Sequence, residues 1–163
     1  MNFEEQHFQK IRDFLVFIYA QYIVLRELSH NKERLPEKYV RRVILNSLLR
    51  SYLQNLVNLV DSKEDKAGNK NLSIRWIQEP DEEFGDLVNK LKRYRDKVFS
   101  HLDVEHTLGF GDFVAEHPIA AEETKGLLEH LIDIIEHKGG VKFVARNSVA
   151  KWCKSEVRQL ISQ

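Results

Sequence analysis

The sequence predicts an all-α protein, an antiparallel bundle of about four to five main helices. Two observations carry that prediction. Apolar residues recur at spacings of three and four over stretches much longer than a strand, which paints one stripe along a helix. Prolines and glycines are few, three and seven in 163 residues, and they punctuate the chain. The length is that of one domain, and it buries about two-thirds of the unfolded surface without a disulfide or metal staple. The expected organisation is a single domain over 1–163, with a core over about 5–137 and a C-terminal helical extension over about 148–163.

The elements follow in order. Phe8, Ile11, Leu15, Ile18, Tyr22 and Leu25 form the stripe of a helix over 5–30, and Phe14, Phe17, Val24 and Leu28 widen it. Asn31 to Arg34 is a polar turn. Pro36 suits the first turn of a second helix, where its missing N–H has no partner in any case. Val40, Val43, Ile44, Leu48, Leu49, Tyr52, Leu53, Leu56, Val57 and Val60 carry that helix to about Asp61. Two long helices joined by a short turn predict an antiparallel hairpin.

Asp61 to Asn71 is charged, contains Gly68 and reads as a mobile loop. Ser73 to Ile77 predicts a short helical turn. Pro80-Asp81-Glu82-Glu83 starts a third helix, since acids are favoured beside the positive end of the helix dipole. That helix should run through Phe84, Leu87, Val88, Leu91, Tyr94 and Val98 to Phe99. Asp103 to Pro118, with Gly109 and Gly111, reads as a loop. Ala120 to His137 is a fourth helix stopped by Gly139-Gly140. Val141 to Val144 suits a short strand or an extended linker. Asn147 or Ser148 then caps a last helix carrying Val149, Trp152, Val157, Leu160 and Ile161.

Charge and cysteine usage narrow the function classes. Lysine plus arginine equals aspartate plus glutamate, 25 each, so the total charge lends no support to a nonspecific DNA-coating protein, although a local basic face is still open. Cys153 stands alone and reads as a small hydrophobe on a helix rather than a reactive thiol. The acidic N-terminus lacks the apolar core of a signal peptide, and no apolar run approaches the ~18 residues of a membrane span, which makes the cytoplasm the expected location and a membrane no partner.

Most catalytic signatures are missing from the sequence. Gly109-Phe110-Gly111 lacks the further glycine and lysine of a phosphate loop. His130 and His137 lie seven apart on one helix face and could ligate a metal only with a third ligand from elsewhere, so they read as solvated helix residues and no metal or cofactor is expected.

What is left is Arg95-Asp96-Lys97-Val98-Phe99-Ser100-His101. An arginine offers a planar, permanently charged fork for phosphate oxygens. A histidine takes and gives protons near neutral pH. An aspartate fixes an imidazole tautomer or holds the arginine. Together they suit RNA cleavage without a metal. RNA brings its own 2′-hydroxyl nucleophile, His101 would move the protons, and Arg95 would stabilise charge developing on the phosphoryl group. Lys92, Arg93 and Lys97 are the neighbouring candidates for RNA contact, while the helix dipole alone accounts equally well for bases at this end of a helix. Geometry sets a condition. At about 100° per residue, Arg95 and His101 lie about 120° apart and ~9 Å along a straight helix. Either the helix distorts or ends near Ser100, or a second copy of the chain completes the site, as a two-fold dimer would.

Tyr94 to Asp103 resembles the signature of the HEPN superfamily: an arginine, a polar second residue, five intervening residues in all and a histidine. With two long helices and the Asn71-Leu72-Ser73-Ile74-Arg75-Trp76-Ile77 segment before it, the chain looks closest to the branch associated with abortive phage infection. The resemblance implies a helical bundle that dimerises with its motif helices at the interface. It also implies a metal-independent ribonuclease of toxin or antiviral type, and it leaves room for an antitoxin partner. By position it implies Arg95 as the phosphate-stabilising residue, Asp96 as the polar support and His101 as the acid–base residue. Asp103 stands where some toxin members carry a tyrosine that a partner enzyme modifies, so control by that modification is not implied. Two alternatives stand beside the enzyme: a noncatalytic domain that binds RNA, a nucleotide or a protein, and a structural bundle whose polar cluster is incidental.

Overall fold

The computed structural model describes residues 3–35, 37–63, 68, 71–96, 116, 118–119, 121–139, 143 and 146–162. Five α-helices run through them: α1 (Phe3–His30), α2 (Lys38–Val60), α3 (Gly85–Tyr94), α4 (Ala121–Gly139) and α5 (Arg146–Ile161). Among the described residues there is no strand, so the architecture is the expected all-α bundle. Phe143 is the one described residue of the 141–144 stretch; it is buried, and its N–H donates to Glu136 Oε1 at 3.0 Å.

α1 is the central helix, packing against α2, α4 and α5, while α3 lies on α2. The reason is in its sequence. Ile11, Leu15 and Ile18 are fully buried, and Tyr22 and Ile23 extend that stripe toward α2, where Tyr22 meets Tyr52 at 6.1 Å between ring centroids. A polar link fixes the same pairing: Gln21 Nε2 donates to Ser51 Oγ at 3.0 Å and Gln21 Oε1 accepts from Asn55 Nδ2 at 2.9 Å. α4 supplies Leu127, Leu128, Leu131, Ile132 and Ile135, all fully buried. A smaller cluster of Leu28, Leu35 and Val157 closes the end where α1, α2 and α5 meet.

The helix ends depart from expectation in informative places. α5 begins at Arg146, so Asn147 and Ser148 lie inside it rather than capping it. Its inner face is the four-residue series Val149, Cys153, Val157 and Ile161; Trp152 and Leu160 sit off that series and are each 63% exposed. Phe17, Val40 and Val43 are also exposed, because α1 and the first turns of α2 have more apolar width than the neighbouring helices cover. Pro36 lies outside the described residues, and α2 is described from Lys38 with Glu37 at its N-cap. No described helix is long and apolar enough to cross a membrane.

Candidate functional site

α3 enters through a 3₁₀ turn, Glu82–Phe84. That turn is docked onto α4 by His130, whose Nε2 accepts from the Asp81 N–H at 3.2 Å and whose ring stacks on Phe84 at 4.9 Å. His130 is therefore an anchor for the start of α3 rather than a solvated residue, which corrects the sequence expectation. His137 makes a local contact, its Nδ1 lying 2.8 Å from the Asp133 carbonyl. Leu87, Val88, Leu91 and Tyr94 are buried at spacings of one, three and three, so the remaining side of α3 carries Lys92 and Arg95 toward the end of α2. α-helical geometry runs to Tyr94, and Val98 and Phe99, to which the helix was expected to run, lie outside the described residues. Arg95 and Asp96 adopt π-helical geometry, a local widening often found at functional positions.

The partner waiting at the end of α2 is Asp61. It follows the last helical residue, its N–H donates to the Val57 carbonyl at 2.9 Å, and it is 9% exposed. Its carboxylate pairs with Arg95 through Oδ2 and Nη1. Lys92 Nζ stands 3.5 Å from Oδ1 and Lys63 Nζ 3.9 Å from Oδ2. Arg95 in turn donates from Nε to Asp96 Oδ1 at 2.7 Å, with Nη2 at the same distance. Among the described residues three cations thus meet two carboxylates.

The Asn71–Trp76 segment builds the platform. A helix ends with carbonyls that have no partner within the helix. Ser73 Oγ donates to the Leu59 carbonyl at 3.0 Å, and Asn71 Nδ2 donates to the Asp61 carbonyl at 2.6 Å. Asn71 Oδ1 accepts from the Lys63 N–H at 2.8 Å and from Trp76 Nε1 at 3.1 Å. One amide side chain therefore ties the helix end, the start of the 61–71 connection and the short Ile74–Trp76 turn together. Residues 64–67 and 69–70 lie outside the described residues.

The electrostatics follow from these contacts. The hydrogen bond to Asp96, helped by the charge of Asp61, holds the Arg95 guanidinium above its ordinary pKa against a smaller opposing effect of burial. The same bond from Arg95, with the charges of Arg95, Lys63 and Lys92, holds the exposed Asp96 carboxyl below its ordinary value. Elsewhere burial pushes the Cys153 thiol up, which suits an inert core position.

Of the residues singled out in the sequence, Arg95, Asp96 and Lys92 come together here, and Arg93 is exposed and takes no part in these contacts. Lys97 and His101 lie outside the described residues, as do Val98 to Ser100 and the 103–115 stretch. Sequence reasoning missed Asp61, Lys63 and Asn71. A signal for Asp61 did exist: an acid at the negative end of a helix dipole is unfavourable unless cations come to it, and the last turn of α2 holds no base of its own. Among the described residues no group of three or more His, Cys, Asp or Glu could hold a metal ion.

Fold and cluster together define an all-α bundle that presents an arginine tethered between two carboxylates, with lysines beside it. Compared with known proteins, the chain matches no family model, no curated protein and no solved structure.

Proposed function

We propose that this chain is a HEPN-type endoribonuclease of toxin or antiviral-defence character, cleaving RNA without a metal as a homodimer. The observation that supports the reading best is the tethering of Arg95. Asp61 from α2 and Asp96 from the same helix fix its guanidinium, and Lys92 and Lys63 add positive charge beside it. An arginine held in this way needs little reorganisation to stabilise charge on a phosphoryl group. In this reading Asp61 joins Asp96 as a positioning residue, Lys92 contacts the RNA backbone, and His101 moves the protons. The toxin role, the second copy of the chain and an antitoxin partner rest on the resemblance of Tyr94 to Asp103.

The test is direct. Purified protein should cut single-stranded RNA in EDTA. Arg95→Ala and His101→Ala should each reduce cutting by at least about 100-fold while the helical circular dichroism is kept. Cutting by both variants at the parent rate would refute the assignment, and a monomer by light scattering would remove the shared site.

A noncatalytic RNA- or protein-binding domain is the second reading, and one observation favours it: the Arg95 charge is already met by two carboxylates of its own chain. RNA retention in a gel shift, without cleavage in either EDTA or magnesium, would select it.

A further inference from the structure

The solvent-facing line of α2 differs from those of its neighbours. Val40, Val43, Ser47, Ser51, Gln54 and Asn58 are all exposed and follow one another at steps of three or four. At about 100° and 1.5 Å per residue they fall within about 80° of one another over ~27 Å. None carries a charge, and from Val43 onward no other residue of α2 is exposed. By contrast, α3 shows solvent Asp86, Lys90 and Arg93, and α4 shows Glu122, Glu123, Asp133 and Lys138. In a chain with 31% charged residues, contact with water gives no reason for such a strip. A protein interface does, because its centre is depleted of charge and enriched in aromatic residues.

Aromatic residues frame both ends of the strip. Tyr39, one turn before Val43, is 77% exposed. At the other end stands Phe17 of α1, 53% exposed. Gln21, one turn after Phe17, bonds to Ser51 and Asn55 of α2. The two helices run in opposite directions, since Tyr22 meets Tyr52 while Leu28 clusters with Ile44, Leu45 and Leu48. One turn back along α1 is therefore one turn forward along α2, which sets Phe17 beside Asn58.

We infer that a second copy of this chain docks on the strip, α2 against α2 and antiparallel, about a two-fold axis at the level of Leu49, midway between Val40 and Asn58. The inference rests on the homodimer of the proposed function and names the surface that pairs. Self-complementarity selects a second copy as the occupant. A two-fold operation exchanges the ends, so Tyr39 and Val40 of each copy meet the Phe17 end of the other, and Ser47 of each comes opposite Ser51 of the other. Apolar ends thus meet apolar ends, hydroxyls meet hydroxyls, and no residue of the strip brings a charge to the contact. The area agrees. A strip ~27 Å long and two helices wide, ~20 Å at a spacing of 8–10 Å, covers about 500 Å² per copy and about 1,000 Å² in the pair, the lower bound of a specific interface.

Analytical ultracentrifugation of the full chain should show a monomer–dimer equilibrium with a Kd of about 100 μM or tighter. Ser47 and Gln54 are exposed, so charges placed there leave the core untouched. Ser47→Lys with Gln54→Lys, and Ser47→Glu with Gln54→Glu, should each keep the helical circular dichroism and weaken pairing by at least about tenfold, because like charges then face each other across the axis. Mixed in equal amounts, the two variant chains should pair with each other at the parent's affinity or better. Trp152→Ser with Leu160→Ser, which alters exposed apolar residues of α5, should change nothing. A parent that stays monomeric to about 0.5 mM would overturn the inference and leave the strip to a different protein. So would charged variants that pair like the parent, a mixture of the two that does not pair, or loss of pairing in the Trp152/Leu160 variant. RNA cutting by the parent in EDTA is read separately. Cutting by a chain that does not pair through α2 would sink this interface and leave the nuclease standing; pairing as described without cutting would do the reverse.

Discussion

Tyr94 and Arg95 are neighbours in the chain and belong to different regimes of the molecule. Tyr94 is 1% exposed among the tyrosines and leucines of the bundle, and burial pushes its phenol pKa up. Arg95 turns to the end of α2 and is held by Asp61 and Asp96. The interior works by many weak, non-directional contacts, any of which a neighbour can partly replace. The cluster works by a few directional charged bonds, one to the next residue in the chain and one to a residue 34 positions away. The largest expected effect therefore tests the interior side of this contrast. Leu91 is fully buried on the turn before Tyr94, and Leu91→Ala should cost about 2–5 kcal/mol in urea or guanidinium unfolding. A cost below about 1 kcal/mol would mean that α3 is docked by its charges instead.

Asp61→Ala asks the opposite question and should rank next. It leaves Arg95, Lys92 and Lys63 around a vacant position at the negative end of a helix. These side chains are partly open to solvent, so the loss should be about 1–3 kcal/mol, below that of breaking a fully buried pair. The contrast sharpens in double-mutant cycles. Asp61→Ala and Arg95→Ala should couple by about 0.5–2 kcal/mol, whereas Leu91→Ala and Asp61→Ala should add. Additivity of the first pair would dissolve the tether.

The same contrast explains what the sequence made legible. Helix existence and order were readable because burial repeats with the helix period: Ile11, Leu15 and Ile18 in α1, or Leu127, Leu128 and Leu131 in α4, announce an inner face locally. Phe17, Val40 and Val43 misled that reading, since periodicity says which residues are apolar but not how much of a helix a neighbour covers. Arg95, Asp96 and Lys92 were found as a run on one helix. Asp61 was not, because its pairing with Arg95 spans 34 residues and no local pattern encodes it. Asn71 escaped for a related reason: an asparagine in a polar loop looks ordinary until its two amide ends are seen to close a helix terminus.

Alkaline pH separates the two regions without a mutation in the cluster. An unfolded tyrosine ionises near pH 10, but burial holds the folded Tyr52 phenol above that, and Tyr94 behaves likewise. A raised folded pKa gives stability that is complete below the unfolded value and lost as pH climbs toward the folded one. Stability should be flat from neutral pH to about 10 and then fall, with a slope of at most about 1.4 kcal/mol per pH unit from each such group. Tyr52→Phe should remove one share of that slope and change stability at pH 7 by about 1 kcal/mol or less, since Thr124 is the one side-chain hydrogen-bond partner of the hydroxyl among the described residues. An unchanged alkaline limb in Tyr52→Phe would place the ionisation elsewhere.

Acid should reach the cluster last and most gently. Arg95 and the nearby lysines hold the Asp96 carboxyl below its ordinary value, so the sign is opposite to that of the tyrosines. A depressed folded pKa gives stability that is present above the unfolded value, near pH 4, and is lost only as pH falls through the folded one. The Arg95–Asp96 contact should therefore contribute the same stability at pH 5 as at pH 8. Asp96 is exposed, so solvent screens its share, and Asp96→Asn should produce the smallest change of the series, visible only as a flatter acid limb below about pH 4. Raising the salt concentration should erase that difference before it affects Asp61→Ala, because the Asp61 carboxylate is the more deeply placed partner of Arg95. Thermal melts of the two variants at low and high salt, from pH 3 to pH 8, read both halves of this ordering. If Asp96→Asn proves the more damaging substitution at neutral pH, then the tether runs through the helix's own neighbour and not through α2.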